Sequence, residues 1–120
     1  MEFIAAEEMK DLFNPGVVSH QILNPHNSAG SRVTIAELHF DPGAVELPHT
    51  HVASEQIWYA LRGCGQILLA DGQTHAFAAG DAVRFAAGDI HGFENTGDTK
   101  FVYLSITSPP IDFSYAYERS

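Results

Sequence analysis

The stretch GAVELPHTHVASEQIWYALRG, residues 43–63, contains two histidines, His49 and His51, separated by one residue. On a β-strand, side chains two positions apart project from the same face. The two imidazoles can therefore share one metal ion. Gln56 opens the next predicted strand, and the turn before it can return its side chain to the same point.

A third histidine, His91, follows a glycine turn at the start of a later predicted strand. Three neutral imidazole nitrogens and one amide oxygen suit a divalent ion and leave one or two positions for water or substrate. We therefore predict one divalent metal ion (Zn, Fe, Ni or Mn) on His49, His51, Gln56 and His91. The other histidines lack this spacing and are interpreted as ordinary polar residues: His20, His26, His39 and His75.

Outward from this stretch, short predicted strands alternate with turns. The strands are predicted at 32–40, 55–61, 66–70, 73–77, 82–85, 91–95 and 101–107. Asp71-Gly72 is typical of a two-residue hairpin loop, because both residues tolerate positive φ. Many short strands with closely spaced turns predict an antiparallel barrel or sandwich. The one predicted helix covers 7–13 and ends before Pro15 and Gly16.

The composition limits the number of domains and the classes of partner. A chain of 120 residues, 45% of them hydrophobic, predicts a single core. Fifteen acidic and six basic residues give a net charge of −9, which disfavours nucleic acid and anionic membranes as partners. The single cysteine, Cys64, excludes an intrachain disulfide and a cysteine zinc cluster. Without a signal-peptide pattern or a membrane-length apolar run, we expect a cytoplasmic protein with a small-molecule ligand.

These spacings resemble the two sequence motifs of the cupin superfamily over residues 32–107. The first motif, G(x)5HxH(x)3,4E(x)6G, matches at Gly43, His49, His51 and Gly63. The second motif, G(x)5PxG(x)2H(x)3N, matches at Gly80, Gly88, His91 and Asn95, with Ala86 in place of the proline.

The resemblance implies an all-β cupin fold, a double-stranded β-helix or jelly-roll antiparallel barrel, with a metal site and usually a homodimer. We therefore predict a single domain, 1–120, with the barrel at about 32–107. An N-terminal helix or arm would cover 1–31. The C-terminal segment, 108–120, is rich in aromatic residues and is predicted to pack as an arm across the barrel or onto a partner subunit.

The acidic ligand position of the first motif has two possible alignments. It falls on Gln56 when counted back from Gly63, and on Glu55 when counted forward from His51 with the shorter gap. Strand pleating favours Gln56, because register fixed at the Gly63 turn places Gln56 and Trp58 inside and Glu55 outside.

An amide ligand leaves the ion its full double positive charge and makes it a stronger Lewis acid. We therefore favour isomerase, lyase or cyclase chemistry. The alternatives are an oxygen-dependent non-haem iron dioxygenase and a non-catalytic, metal-stabilised ligand-binding module.

The layout is similar to that of the small cupin that linearises unsaturated uronates. Where that family has an acid and an arginine, this chain has Ser105 and Ile111, so that particular reaction is not expected. Cupin-type polyketide cyclases offer another Lewis-acid precedent.

Alternation along the last strand places Phe101, Tyr103, Ser105 and Thr107 on the predicted ligand-bearing interior, with Trp58, Ala60 and Phe93 of other strands nearby. The predicted pocket residues are Trp58, Ala60, Phe93, Phe101, Ser105 and Thr107. Tyr103 is the candidate catalytic residue, as a general acid or hydrogen-bond donor. An aromatic lining favours a flat or apolar substrate.

Overall fold

The computed structural model describes residues 1–119 and consists of two antiparallel β-sheets. The strands are β1 (Lys10–Asn14), β2 (Val17–Leu23), β3 (Thr34–Phe40), β4 (Val45–His49), β5 (Glu55–Arg62), β6 (Cys64–Leu68), β7 (Thr74–Ala78), β8 (Ala82–Phe85), β9 (His91–Glu94) and β10 (Phe101–Ser108). The six-stranded sheet has the order β1-β2-β3-β10-β5-β8 and the four-stranded sheet the order β4-β9-β6-β7. The prediction of an all-β jelly roll is confirmed.

Helical structure within residues 1–119 is limited to three short 3-10 turns, Ala6–Glu8, Ala70–Gly72 and Phe113–Ala116. In this part of the chain, no helix has the length and apolar character needed to span a bilayer.

The core lies between the two sheets and is mainly aromatic. Trp58 is buried at its centre, with ring centroids 4.8 Å from Phe85, 4.5 Å from Tyr103 and 6.4 Å from Phe93. The strands reach this core by strict alternation, since every second residue of β3, from Thr34 to Phe40, is buried. Burying each large apolar side chain contributes on the order of 2 kcal/mol, so the aromatic cluster is a main source of stability.

The predicted helix over residues 7–13 is wrong. Residues 10–14 form strand β1, which pairs with β2 through a turn in which Gly16 adopts φ +70°. A seven-residue segment has too few hydrogen bonds to hold a helix by itself. Pairing with β2 provides hydrogen-bond partners for the backbone of β1, and Leu12 is buried there. The segment predicted as an N-terminal arm therefore supplies β1 and β2, two of the six strands of the larger sheet.

The turn between β6 and β7 has the positive φ angles predicted for Asp71 and Gly72, but its loop is longer than the predicted two residues. Asp71 and Gly72 both adopt positive φ, 59° and 71°. The last paired residues are Leu68 and Thr74, and the Leu69 amide donates to the Gln73 carbonyl at 2.8 Å. Asp71 and Gly72 thus belong to a 3-10 turn inside a wider loop.

Residues 109–119, which we call the C-terminal strap, pack across the protein's own barrel. Asn14 on β1 donates through Nδ2 to the Ala116 carbonyl at 3.0 Å and accepts at Oδ1 from the Glu118 amide at 2.9 Å. Arg119 forms an isolated bridge with Phe13, and its guanidinium lies 4.6 Å from the Phe13 ring centroid. Of the two contacts expected for this segment, the one with its own barrel is therefore observed.

Candidate metal centre

Three histidines from separate parts of the chain meet inside the barrel. One ring nitrogen from each of His49, His51 and His91 lies within 4.8 Å of the other two. Their ring centroids are 4.6 to 5.3 Å apart. His49 ends β4 and His91 begins β9, and the two are direct partners across the antiparallel pair.

The backbone fixes which nitrogen two of these rings present. His49 Nδ1 lies 2.9 Å from the Leu47 carbonyl, and His91 Nδ1 lies 3.0 Å from the Asp89 carbonyl. A carbonyl only accepts, so each Nδ1 carries the proton and each Nε2 keeps its lone pair. A backbone carbonyl that orients a neutral imidazole in this way is the usual outer support of a metal-binding histidine.

Two of the Nε2 atoms are buried without a hydrogen-bond partner among the described residues, those of His51 and His91. A buried polar atom without a partner costs about 1 to 3 kcal/mol. Three neutral imidazoles around one point are a donor set that zinc and similar divalent ions prefer. The residues therefore fit a divalent ion.

A backbone hydrogen bond joins the loop of the first two histidines to the turn before the third. The Gly88 amide donates to the His51 carbonyl at 2.8 Å. Gly88 adopts φ +89°, a conformation that residues with a side chain rarely take, which explains the glycine at this motif position. Phe85 stacks on the His91 ring at 4.4 Å and holds it in place.

Burial keeps the inner two rings neutral. His91 is 2% exposed, and desolvation lowers its pKa from 6.5 to about 4. Desolvation also lowers the pKa of His51, and the nearby His49 contributes in the same direction. Both rings therefore have lone pairs available to a metal at neutral pH, and that of His91 stays available well below it.

This pKa shift predicts that the metal-free protein loses stability in acid. Between pH 6.5 and about 4 the unfolded chain binds a proton at His91 that the folded protein excludes. The free energy of unfolding should therefore fall as the pH is lowered through this window, by up to about 3 kcal/mol from His91. Urea denaturation in a chelator across this range measures the effect. The His91→Gln variant should show a flatter profile, and parallel profiles would contradict the prediction.

Gln56 and Glu55 lie on opposite faces of β5, as the pleat predicts. Gln56 is 5% exposed, whereas Glu55 faces outward and forms an ion pair with Arg84 at 2.8 Å. Trp58 Nε1 donates to Gln56 Oε1 at 2.9 Å, and Gln56 Nε2 donates to Thr107 Oγ1 at 3.0 Å. An indole can only donate, so the amide oxygen must point toward it, which fixes the orientation of the amide.

Sequence reasoning missed Glu46, which lies beside the histidine cluster. Its Oε1 is 3.6 Å from His49 Nε2. Desolvation raises the pKa of this carboxyl, and the charge of His49 opposes the shift. Burial, assisted by the negative charge of Glu46, raises the pKa of Tyr103 well above its ordinary value, so that hydroxyl keeps its proton. An acidic residue two positions into a short strand normally indicates a solvated side chain, so the sequence carries no signal for this placement.

A cavity of about 700 Å³ adjoins the cluster, and His49, His51 and Glu46 line it. Its size is typical of a small-molecule site. Of the predicted pocket residues, Ser105 lines the cavity, as does Tyr103. Thr107 is buried beside Gln56. The remaining four lie in the packed core: Trp58, Ala60, Phe93 and Phe101.

The other four histidines lie outside the cluster and have other partners. His20, His26 and His39 each lie 2.7 to 2.8 Å from a carboxylate, those of Asp11, Asp112 and Glu37. His75 contacts the Ala76 carbonyl. Asn95 of the second motif has a structural role, since its amide donates to the carbonyls of Phe40 and Thr99.

Comparison with known sequences assigns the family. The sequence model described as Cupin domain matches residues 36–107, well over half of the chain. The chain belongs to the cupin family. An uncharacterised protein of Methanocaldococcus jannaschii is 30% identical to this cupin over 95 residues, 79% of this chain and 75% of that protein.

Solved structures share the cupin fold at low sequence identity. KdgF from Halomonas sp. is 23% identical with a TM-score of 0.77, and the match covers 93% of this cupin and 96% of that chain. The polyketide cyclase RemF from Streptomyces resistomycificus is 20% identical with a TM-score of 0.76, covering 90% and 79%. These neighbours establish the double-stranded β-helix architecture.

Proposed function

We propose that this cupin is a metal-dependent enzyme that acts on a small oxygenated molecule. The observation that carries the proposal is the cluster of three imidazoles with available Nε2 atoms beside a cavity of about 700 Å³. A divalent ion held there supplies Lewis acidity, which polarises a carbonyl or enolate oxygen. Isomerase, lyase or cyclase chemistry uses that property directly.

The surrounding side chains are proposed to orient the ligand and to complete the metal site. We assign Gln56 as the fourth ligand, through the amide oxygen that Trp58 already orients. Tyr103 lines the cavity, and its raised pKa suits a hydrogen-bond donor better than an acid that releases its proton.

The similarity to a polyketide cyclase lends limited support to Lewis-acid chemistry, since the shared feature is the fold. The test is α-proton exchange of a panel of cyclic and aromatic ketones in D₂O, followed by NMR with the Zn²⁺- or Ni²⁺-loaded protein. We expect exchange that needs the metal, disappears in His49→Ala and is equal in air and under nitrogen. Oxygen consumption restored by ferrous iron would favour the dioxygenase. A metal-loaded protein that is stabilised by the ion but inert toward the whole panel would favour the binding module.

The fourth-ligand assignment predicts different effects for two adjacent alanine variants. Gln56→Ala should weaken Zn²⁺ binding by about tenfold or more, because one donor is lost. Glu55→Ala should leave the affinity unchanged, since the outward carboxylate pairs with Arg84 on the surface. Calorimetric titration of both variants measures the difference. Loss of affinity in Glu55→Ala alone would move the ligand to Glu55 and reopen the acidic-ligand chemistries.

We further propose that the protein acts in the cytoplasm as a homodimer. Tyr59 and Leu61 expose apolar side chains on the outer face of β5 and are candidates for the contact, because the C-terminal strap is already packed on its own barrel. Light scattering across a concentration series tests the assembly.

A further inference from the structure

The cavity wall opposite the histidines is largely apolar. Val17, Ala36, Leu38 and Tyr103 line it from the six-stranded sheet. The strap adds the aromatic side chain of Phe113, whose ring lies 5.7 Å from that of His51. Aromatic faces next to aliphatic side chains favour a flat ligand with little polar surface.

Two polar side chains of the wall, those of Ser19 and Gln21, are hydrogen-bonded to each other. Gln21 Nε2 donates to Ser19 Oγ at 2.7 Å, and both residues are buried. The bond between them leaves this pair fewer hydrogen bonds to offer to a molecule rich in hydroxyls.

The charged residues of the wall are acidic. Glu46 and Glu118 line the cavity, and every lysine and arginine of the chain lies outside its wall. Arg84 pairs with Glu55, and Lys100 lies 3.7 Å from Asp41.

A carboxylate or phosphate taken into such a cavity would have no cationic side chain beside it. Buried anions are normally paired with arginine or lysine, because an unpaired charge loses its hydration at a cost of several kcal/mol. A single ion on the histidines can satisfy one oxygen centre at that end of the cavity. It leaves a second, remote anion uncompensated.

We propose that the cavity recognises an uncharged, flat and largely apolar molecule that presents a carbonyl or hydroxyl oxygen to the histidine cluster, and that it rejects molecules with a remote carboxylate or phosphate. This inference rests on the proposed function, since the metal site defines the end where the oxygen binds. It separates this cupin from any relative that acts on sugar acids or sugar phosphates.

The test compares two probes that differ in a remote charge and one methyl group, methyl 3,4-dihydroxybenzoate and 3,4-dihydroxybenzoate. Both have the same pair of oxygens for the metal end and nearly the same size. Calorimetry at neutral pH, with the Zn²⁺-loaded and the metal-free protein, gives each dissociation constant. We expect the ester to bind at least about tenfold more tightly than the acid.

A matched pair of variants tests whether the wall causes the preference. Leu47 lines the cavity and is 75% exposed, so a long polar side chain is tolerated there. Leu47→Arg should reduce the preference for the ester to about threefold or less, because the guanidinium pairs with the remote carboxylate. Leu47→Gln, which adds polarity without charge, should keep the tenfold preference.

Equal or tighter binding of the acid by the Zn²⁺-loaded protein overturns this inference and leaves the proposed function intact. If the Zn²⁺-loaded protein binds neither the ester nor the acid, the inference about the ligand is also overturned. If Zn²⁺ itself does not bind, the proposed function is wrong. The comparison on the metal-free protein then decides whether the wall selects uncharged molecules.

Discussion

His91→Ala protein is expected to bind Zn²⁺ at least about a hundredfold more weakly than the parent protein, which should bind one ion per chain. His91 supplies the most deeply buried of the three imidazoles, and its Nε2 has no other partner among the described residues. Alanine at this position removes the donor and leaves a space beside Phe85 and Trp58 that is too apolar to hold the ion. Metal analysis after dialysis and calorimetric titration measure the loss.

His75→Ala is the matched control for this variant, because His75 is exposed and its ring nitrogen contacts a neighbouring backbone carbonyl, away from the histidine cluster. It should bind Zn²⁺ with the parent affinity. Circular dichroism of the metal-free His91→Ala protein separates loss of the ligand from loss of the fold. A folded His91→Ala protein that still binds one equivalent tightly would show that the three rings do not form a metal site.

Gly92→Ala is expected to lower the free energy of unfolding by about 2 to 4 kcal/mol and to weaken metal binding as well. A Cβ at Gly92 would lie 2.5 Å from the Glu46 carbonyl oxygen, 2.8 Å from the Pro48 nitrogen and 2.9 Å from the Leu47 carbonyl carbon. All three are backbone atoms, which cannot rotate away, so β4 must move from β9. Since His49 and His91 face each other across these two strands, the same movement separates two ligands.

Gly30→Ala is the control, because a Cβ there meets no atom within 4 Å and the backbone is not left-handed. Its stability should change by no more than about 0.5 kcal/mol. Urea denaturation of both variants, followed by Zn²⁺ titration, measures the two effects. Gly92→Ala protein with parental stability and affinity would mean that the β4–β9 contact is looser than the distances indicate.

Much of the site was predictable because it obeys strand alternation. The H-x-H spacing predicts one face for His49 and His51, and register counted from Gly63 turns Gln56 inward and Glu55 outward, as the structure has them. Alternation depends only on the pleat, so it holds wherever a strand has been recognised. The convergence of His91 on the same point came from motif order, which was read from a resemblance.

Two of the misses, β2 and Glu46, have the cavity as their physical cause. The inner face of β2 carries Ser19 and Gln21, so its sequence lacks the apolar alternation that marks a strand, and β2 was not predicted. The inward position of Glu46 is also explained by the cavity, which its side chain lines. Residues that line an internal space follow the chemistry of that space, and local sequence patterns do not describe it.

The position of β10 has a consequence for how the chain folds. Residues 101–108 pair on one side with residues 34–40 and on the other with residues 55–62, so the middle of the larger sheet is supplied by a late segment of the polypeptide. During synthesis, β3 and β5 each have an unpaired edge until residues 101–108 have left the ribosome. Contacts so distant in sequence slow folding and leave those edges exposed to aggregation until the pairing is complete.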